Sequence, residues 1–245
     1  MNPVGTPPQT FFDTLASQQI ELEPGDADRL AVHLEMLFEA NACFNLTAIR
    51  DPVEAWVRHA ADSLSLVPWI AEAGAKRIVD IGTGGGFPGI PIAIAMPDVH
   101  VVLVDSVGKK VRFLQEVIDR LQLSNAKVRQ ARAEELADFR GGLRESFDAV
   151  ACRAVGSLAT LIELALPLVR VDGLLLAIKG ERAAEEIIAA ERALEELQGE
   201  IVATERTPTG TIVAVRKLAR TVRLYPRDQG LPGRKPLGAK LDRAD

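Results

Sequence analysis

The chain has 245 residues, 47% of them hydrophobic and 26% charged, which suits one large domain with an extension and excludes a disordered, collagen-like or repetitive chain. Its formal charge is -5, so no whole-molecule basic field gathers nucleic acid indiscriminately, and a polyanionic partner must meet a local patch. Two distant cysteines, Cys43 and Cys152, and three scattered histidines, His33, His59 and His100, argue against a disulfide scaffold or a metal site.

From Pro8 to Ile70 the pattern is helical. Leu30, His33, Leu34, Leu37 and Phe38 recur at three and four residues, as do Trp56, Val57, Ala60, Leu64 and Val67. Pro24-Gly25-Asp26 and Asp51-Pro52 supply turn and helix-start chemistry before two of these segments. The stretch from Met1 to Thr10 lacks the basic start and apolar core of a secretory signal. The uncharged run from Ile81 to Pro97 is broken repeatedly by glycine and proline, so a cytoplasmic protein without a membrane span is expected.

At Arg77 the texture changes to short β-branched runs alternating with amphipathic helices, the pattern of a parallel sheet covered on both faces. Strands are predicted over Arg77–Ile81, His100–Val104, Lys127–Gln130, Phe147–Ala151, Leu174–Ile178, Ile201–Arg206 and Ile212–Leu218. Helices are predicted near Ile90–Ala95, Lys109–Leu121, Ala133–Phe139, Leu158–Leu168 and Ala183–Leu197, the last rich in glutamate and therefore solvated on its outer face. Only Thr207–Thr211 joins the last two strands, too short for a right-handed crossover, so they form an antiparallel hairpin. The expectation is an α/β, Rossmann-like fold with a seven-stranded, mostly parallel sheet. A helical N-terminal extension spans 1–74, the sheet domain 75–219 and a basic tail 220–245. From Arg216 onward nine basic residues face three acids, a net charge of +6, and the Pro/Gly-rich tail reads as extended and partly mobile.

The segment Ile78-Val79-Asp80-Ile81-Gly82-Thr83-Gly84-Gly85-Gly86-Phe87-Pro88-Gly89 ends the first strand and opens the first helix of the sheet. Its glycines allow a tight turn and close approach of a ligand to the backbone. Two cofactors compete for it. Gly84, Gly86 and Gly89 satisfy the dinucleotide fingerprint, with Asp105 placed to accept from ribose hydroxyls or to be merely a solvated acid. Asp80, two residues before Gly82, would repel a pyrophosphate and favour the cationic amino and sulfonium groups of S-adenosylmethionine, unless it only caps local amides.

Asn45–Arg50, Arg58-His59-Ala60-Ala61-Asp62-Ser63-Leu64 and Asp80–Pro91 together resemble the bacterial small-subunit rRNA guanine-N7 methyltransferases, the glucose-inhibited division protein B family. The resemblance continues through Leu103–Ser106, Lys109–Leu114, Arg132–Glu135, Cys152–Val155, Ile178–Gly180 and Tyr225–Arg227, and so covers nearly the whole chain. It implies a class I S-adenosylmethionine-dependent methyltransferase fold, that donor as cofactor, and a guanine of 16S rRNA or the small ribosomal subunit as partner. By the same resemblance, cofactor contacts fall on Gly82, Phe87, Ala133, Glu134 and Arg153, with Asp105 at the ribose and the Asp80 turn at the methionine end, and the glycine turn itself adds Gly84 as a cofactor-binding candidate.

Guanine N7 carries an unshared electron pair at neutral pH, so its methylation requires no general base, and alignment of donor and acceptor can supply much of the rate. Catalytic candidates are Arg153 and, for positioning, His59; Arg153 could bind a carboxylate, a phosphate or a guanine edge, or form a structural ion pair, and His59 could equally be structural. Cys152 is read as a small strand-end residue rather than a nucleophile. RNA-facing candidates are Arg58, Lys109, Lys110, Arg112, Arg132, Lys179, Arg227, Arg234 and Lys235. A nicotinamide-dependent oxidoreductase and an inactive ribosome-assembly factor are the rival readings; the first lacks a visible Tyr-Lys pair or placed histidine. The negative net charge predicts weak binding to unrelated RNA. A salt-insensitive, tight complex with a random RNA in a filter-binding titration contradicts it.

Overall fold

The computed structural model describes residues 4–139, 142–153, 155–207 and 209–239. Ala154, Pro208 and the tail residues Lys240, Asp242, Arg243 and Asp245, used in the sequence reading, lie outside them. Seven strands are ordered β3-β2-β1-β4-β5-β7-β6. They are β1 (Arg77–Ile81), β2 (His100–Asp105), β3 (Ala126–Gln130), β4 (Phe147–Arg153), β5 (Val169–Lys179), β6 (Gly199–Thr207) and β7 (Gly210–Lys217). All seven expected strands are present, with β5 beginning five residues earlier than expected at Val169. β1 pairs with β2 and β2 with β3 in parallel, whereas β7 runs antiparallel to β5 and inserts between it and β6.

Two compact units are distinguishable. The first comprises residues 1–131, 151–153 and 207–209. Its helices are α1 (Gln9–Ser17), α2 (Asp26–Asn41), α3 (Pro52–Ala55), α4 (Asp62–Leu64), α5 (Val67–Glu72), α6 (Gly89–Ala95) and α7 (Gly108–Leu121), with a π-helical turn over Trp56–Ala61 between α3 and α4. Asp51 starts α3 by accepting the Glu54 amide at 2.9 Å, with Pro52 at the first helical position. The apolar faces converge as the periodicity requires: Leu30, Leu34 and Leu37 of α2, Trp56 and Leu64 are all at most 1% exposed. β1 and β2 read as near-continuous apolar runs because both of their faces are covered, leaving only Arg77 and His100 exposed at their starts.

The second unit comprises residues 132–150, 154–206 and 210–245. Its helices are α8 (Ala133–Ala137), α9 (Leu158–Ala165), α10 (Ala183–Ala189), α11 (Glu191–Leu197) and α12 (Leu231–Arg234). The single helix expected over Ala183–Leu197 is two, separated at Ala190, and α9 ends three residues short of the expected Leu168. The tail also differs from expectation: up to residue 239 it is tied down. Arg227 forks onto the fully buried Glu163 (Nε to Oε1 2.8 Å, Nη2 to Oε2 2.6 Å), and its amide also donates to Oε1 at 2.9 Å. A buried carboxylate of that kind demands a paired cation, so proline and glycine content alone misjudges the segment.

Lys217, at the end of β7, is fully buried. Its ammonium donates to Glu145 Oε1 at 2.8 Å and to the carbonyls of Leu166 (2.9 Å) and Val169 (2.8 Å), which uses all three of its protons. Burial pushes the Lys217 ammonium below its usual range while the Lys217 contact holds the Glu145 carboxyl below its own. Removing one member strands the others. Lys217→Ala is expected to lower the unfolding free energy by about 3 to 5 kcal/mol, read from urea unfolding, with Glu145→Gln, which retains an acceptor, costing less.

Candidate active site

The glycine-rich turn is organised from beneath by Asp80, which is fully buried at the fourth position of β1. One carboxylate oxygen, Oδ2, accepts from Thr83 Oγ1 at 2.6 Å and from the Gly89 amide at 2.8 Å, so it stitches the end of the strand to the first residue of α6. The other oxygen, Oδ1, is buried with no hydrogen-bond partner among the described residues. Burial pushes the Asp80 carboxyl up to about 7, opposed by Thr83, the Gly89 amide and the Arg153 charge. Of the two readings of Asp80, a charge that favours a cationic ligand or a cap on local amides, the structure shows the capping contacts.

Gly82, Gly84 and Gly86 have φ of 67°, 59° and 95°, which a side chain at any of them would strain. A Cβ on Gly89 would meet Leu103 at 2.2 Å, and one on Gly86 would meet Ile90 at 2.7 Å, so these two glycines serve packing. At Gly84 the nearest atom, the Gly82 carbonyl oxygen, is 3.9 Å away, leaving room for a ligand to approach the backbone. Asp105, at the end of β2, accepts the Gly84 amide (Oδ2, 3.1 Å) and the Val107 amide (Oδ1, 2.9 Å), and its Oδ2 lies 3.5 Å from Lys110 Nζ. The turn and the strand-end acid are thus one hydrogen-bonded piece.

Phe87 is the meeting point of three further groups. His33 and His59 both stack on its ring with centroids 4.5 Å apart, and the Arg153 guanidinium lies 5.3 Å from the same centroid. Arg153, from the last residue of β4, donates to His59 Nδ1 at 2.6 Å and to the main-chain oxygen of Arg58 in the π-helical turn. A guanidinium can only donate, so His59 Nδ1 accepts and its proton sits on Nε2, which donates to Thr47 Oγ1 at 2.8 Å. The wider π turn is a common device for re-aiming backbone and side chains at a site, and here it brings Arg58 and His59 onto one cation. Desolvation and the Arg153 charge push His59 down to about 2, and burial pushes His33 down to about 4, so both rings are neutral at pH 7. His33 Nε2 donates to the Gly85 carbonyl at 2.8 Å, pinning the turn to α2.

The structure therefore brings together Asp80, Gly82, Gly84, Phe87, Asp105, His59 and Arg153 within the first unit. Ala133 and Glu134 lie at the start of α8 in the second unit, where Glu134 Oε1 accepts the Gly230 amide at 2.9 Å. The sequence reading missed His33, which it does not name as a site candidate, and Thr47. The signal for Thr47 lay in Asn41, which accepts the Leu46 and Thr47 amides at 2.7 and 3.0 Å and so shapes the Asn45-Leu46-Thr47 segment. It also missed Asp62, a buried acid whose Oδ2 accepts from Thr209 Oγ1 and whose carboxyl burial pushes up. Cys152 is fully buried, as a strand-end packing residue should be.

Of the basic candidates, Arg112, Arg132, Arg234 and Lys235 are exposed, Arg58 pairs with Glu54 at 2.7 Å, and exposed Lys109 lies 5.2 Å above the Phe44 ring. Two are placed elsewhere than on a free rim. Lys179 is buried, donating to the Gly156 carbonyl at 2.7 Å and pairing with Glu186 at 2.8 Å, and Arg227 is held by Glu163. Neither offers a spare charge.

The family model described as rRNA small subunit methyltransferase G matches residues 26–211, a span holding the glycine turn, Asp105, Glu134 and Arg153. The chain belongs to the rRNA small subunit methyltransferase G family. Proteins named ribosomal RNA small subunit methyltransferase G are 45% identical over 90% of this chain and 92% of their own in Sorangium cellulosum. The Bacillus subtilis relative of that name is 36% identical over 94% of this chain and 98% of its own. Among solved structures, an O-methyltransferase from Bacillus cereus in complex with SAH aligns with a TM-score of 0.55 at 20% identity, over 84% of this chain and 100% of that one. A methyltransferase from Geobacter sulfurreducens aligns with a TM-score of 0.53 at 16% identity, over 88% and 100%. These two likenesses establish the class I methyltransferase fold. No helix among the described residues is long and apolar enough to cross a membrane.

The two stacked histidines make folding pH-dependent with a definite sign. Each is neutral in the folded chain down to about 4 (His33) or about 2 (His59) but takes a proton near 6.5 when unfolded, so their contribution to stability is whole above 6.5 and is lost as pH falls. Asp80, raised to about 7, works in the opposite direction, contributing at low pH and losing that contribution as pH rises toward 7. His33→Gln, which keeps a donor for Gly85, is expected to remove about 1.4 kcal/mol per pH unit from the slope of unfolding free energy between pH 6.5 and about 4, measured by chemical denaturation across that range.

Proposed function

We propose that the chain transfers the methyl group of S-adenosylmethionine to N7 of a guanine in small-subunit rRNA, in the cytoplasm where ribosomes are made. The observation that carries this is the family match over residues 26–211, which embraces the whole first-unit site from His33 to Arg153. Methylation of rRNA with S-adenosylmethionine as donor follows from family membership; the atom attacked and the residue roles are the further step.

The residues present suit that donor. Gly84 leaves space against the backbone, Asp80 has a buried oxygen with no partner among the described residues, and Asp105 is already fixed at the strand end. In this reading Gly82, Gly84 and the Asp80 turn hold the methionine end, Asp105 accepts from the ribose, and Arg153 binds an acidic group. Phe87 acts through its stack with His33 and His59, holding the turn and Arg153 in register. When bound, S-adenosylmethionine supplies an electrophilic methyl group on a cationic sulfur.

The first-unit site is poor in groups able to remove a proton. His59 is neutral with Nδ1 engaged by Arg153, and its depressed basicity keeps it from collecting a proton from a nucleophile near pH 7. Cys152 is enclosed, and Asp80 lies wholly beneath the surface, its Oδ2 taken by Thr83 and the Gly89 amide. That is the inventory expected for an acceptor whose lone pair is already available, where the protein's work is alignment rather than deprotonation.

The test is to incubate the protein with labelled S-adenosylmethionine and small subunits lacking the modification, then map the product. N7-methylguanine at a single position supports the reading, and methyl transfer to another atom, or none, refutes it. Asp105→Asn is expected to weaken S-adenosylmethionine binding by about 10- to 100-fold in calorimetry, the loss of charge-assisted hydrogen bonds.

A further inference from the structure

The second unit carries a cavity of about 520 Å³ lined by Phe139, Arg144, Glu145, Arg220, Thr221 and Arg223, among others, none of which the transfer site uses. Three of its features point to a ligand. Phe139 is 63% exposed, and the Arg223 guanidinium lies 4.3 Å over its ring centroid. Arg220 has a side chain 88% exposed, with its Glu145 partner no closer than 4.0 Å, so its charge is almost free. Thr221 is 9% exposed, and its hydroxyl makes no hydrogen bond among the described residues.

The cavity is also rigidly framed. Arg144 donates to the carbonyls of Ala137, Thr221, Val222 and Tyr225 at 2.7 to 2.9 Å, so the segments on either side of the opening share one cation. Glu145 accepts the Thr221 amide at 2.9 Å and holds the same segment from the other side. A frame of this kind lowers the ordering cost of binding. An open aromatic face, a planar guanidinium and a free cation match one chemistry in particular: a base to stack and a phosphate to neutralise.

We propose that this cavity docks an unpaired nucleotide of the RNA substrate, its base stacked against Phe139 and Arg223 and its phosphate on Arg220. The buried Thr221 hydroxyl supplies a hydrogen bond to the sugar or base edge. The proposal rests on the reading that the polymer is small-subunit rRNA and adds a second place where that RNA is held.

The experiment titrates the full chain and two variants with small-subunit rRNA over a range of salt, alongside S-adenosylmethionine binding as a control of folding. Phe139→Ala is expected to weaken RNA affinity about tenfold with an unchanged salt slope. Arg220→Ala is expected to reduce the slope of log affinity against log salt by about 1. Donor binding stays at the wild-type value in both. Photo-crosslinking of thiouridine-substituted rRNA to the unaltered chain needs no variant, and adducts are expected on the peptides carrying Phe139 or Arg223. Wild-type affinity and slope in both variants, or adducts confined to other peptides, overturns the docking site. If the unaltered chain still methylates the rRNA in that case, the functional reading stands alone; if it neither binds nor methylates, both fall. Displacement of bound polyglutamate from this patch, with no RNA adduct there, assigns the surface to an acidic protein and also overturns the proposal.

Discussion

The guanidinium of Arg153 decides how the first-unit site is assembled. It is a permanent charge on the last residue of β4, half buried, and it must find acceptors. The π-helical turn provides two of them, the Arg58 carbonyl and His59 Nδ1, and the Phe87 ring provides an apolar surface carrying a partial negative charge. Because His59 must accept, its remaining proton is committed to Thr47, and because Phe87 is held between these groups and His33, the glycine turn that contains it is held as well. One cation thereby sets the tautomer of a histidine and the register of a loop.

Asp80 completes that arrangement from the strand side. A buried carboxylate with one oxygen saturated and the other without a partner is costly, and burial raises its pKa accordingly. Strain of this kind is tolerable where a cationic ligand is to be met, since a positive charge nearby restores the ionised form. The strength of any such preference depends on burial that no sequence pattern reveals.

The second unit uses the same physics for anchoring. Lys217 with Glu145, Arg227 with Glu163, and Arg144 with four carbonyls each place a cation where backbone or carboxylate oxygens converge. Through them a tail that is rich in proline, glycine and positive charge becomes part of the folded body up to residue 239. Charge counting treats such residues as a field facing outward; here three of them point inward, and Lys179 does so as well.

The strands and most helices were legible in the order of residues because their causes are local: short apolar and β-branched runs between turn-forming residues, and apolar side chains at three- and four-residue spacing. The glycine turn was legible because positive φ at Gly82, Gly84 and Gly86 is a backbone demand that few other residues meet. Tertiary structure alone decided the partners. The stacking of His33 and His59 on Phe87 and the inward turn of Lys179 and Arg227 join residues tens of positions apart, for which spacing along the chain carries no information. Composition and periodicity tell which residues must leave water; which polar group each buried charge then meets is settled only when the chain has closed around it.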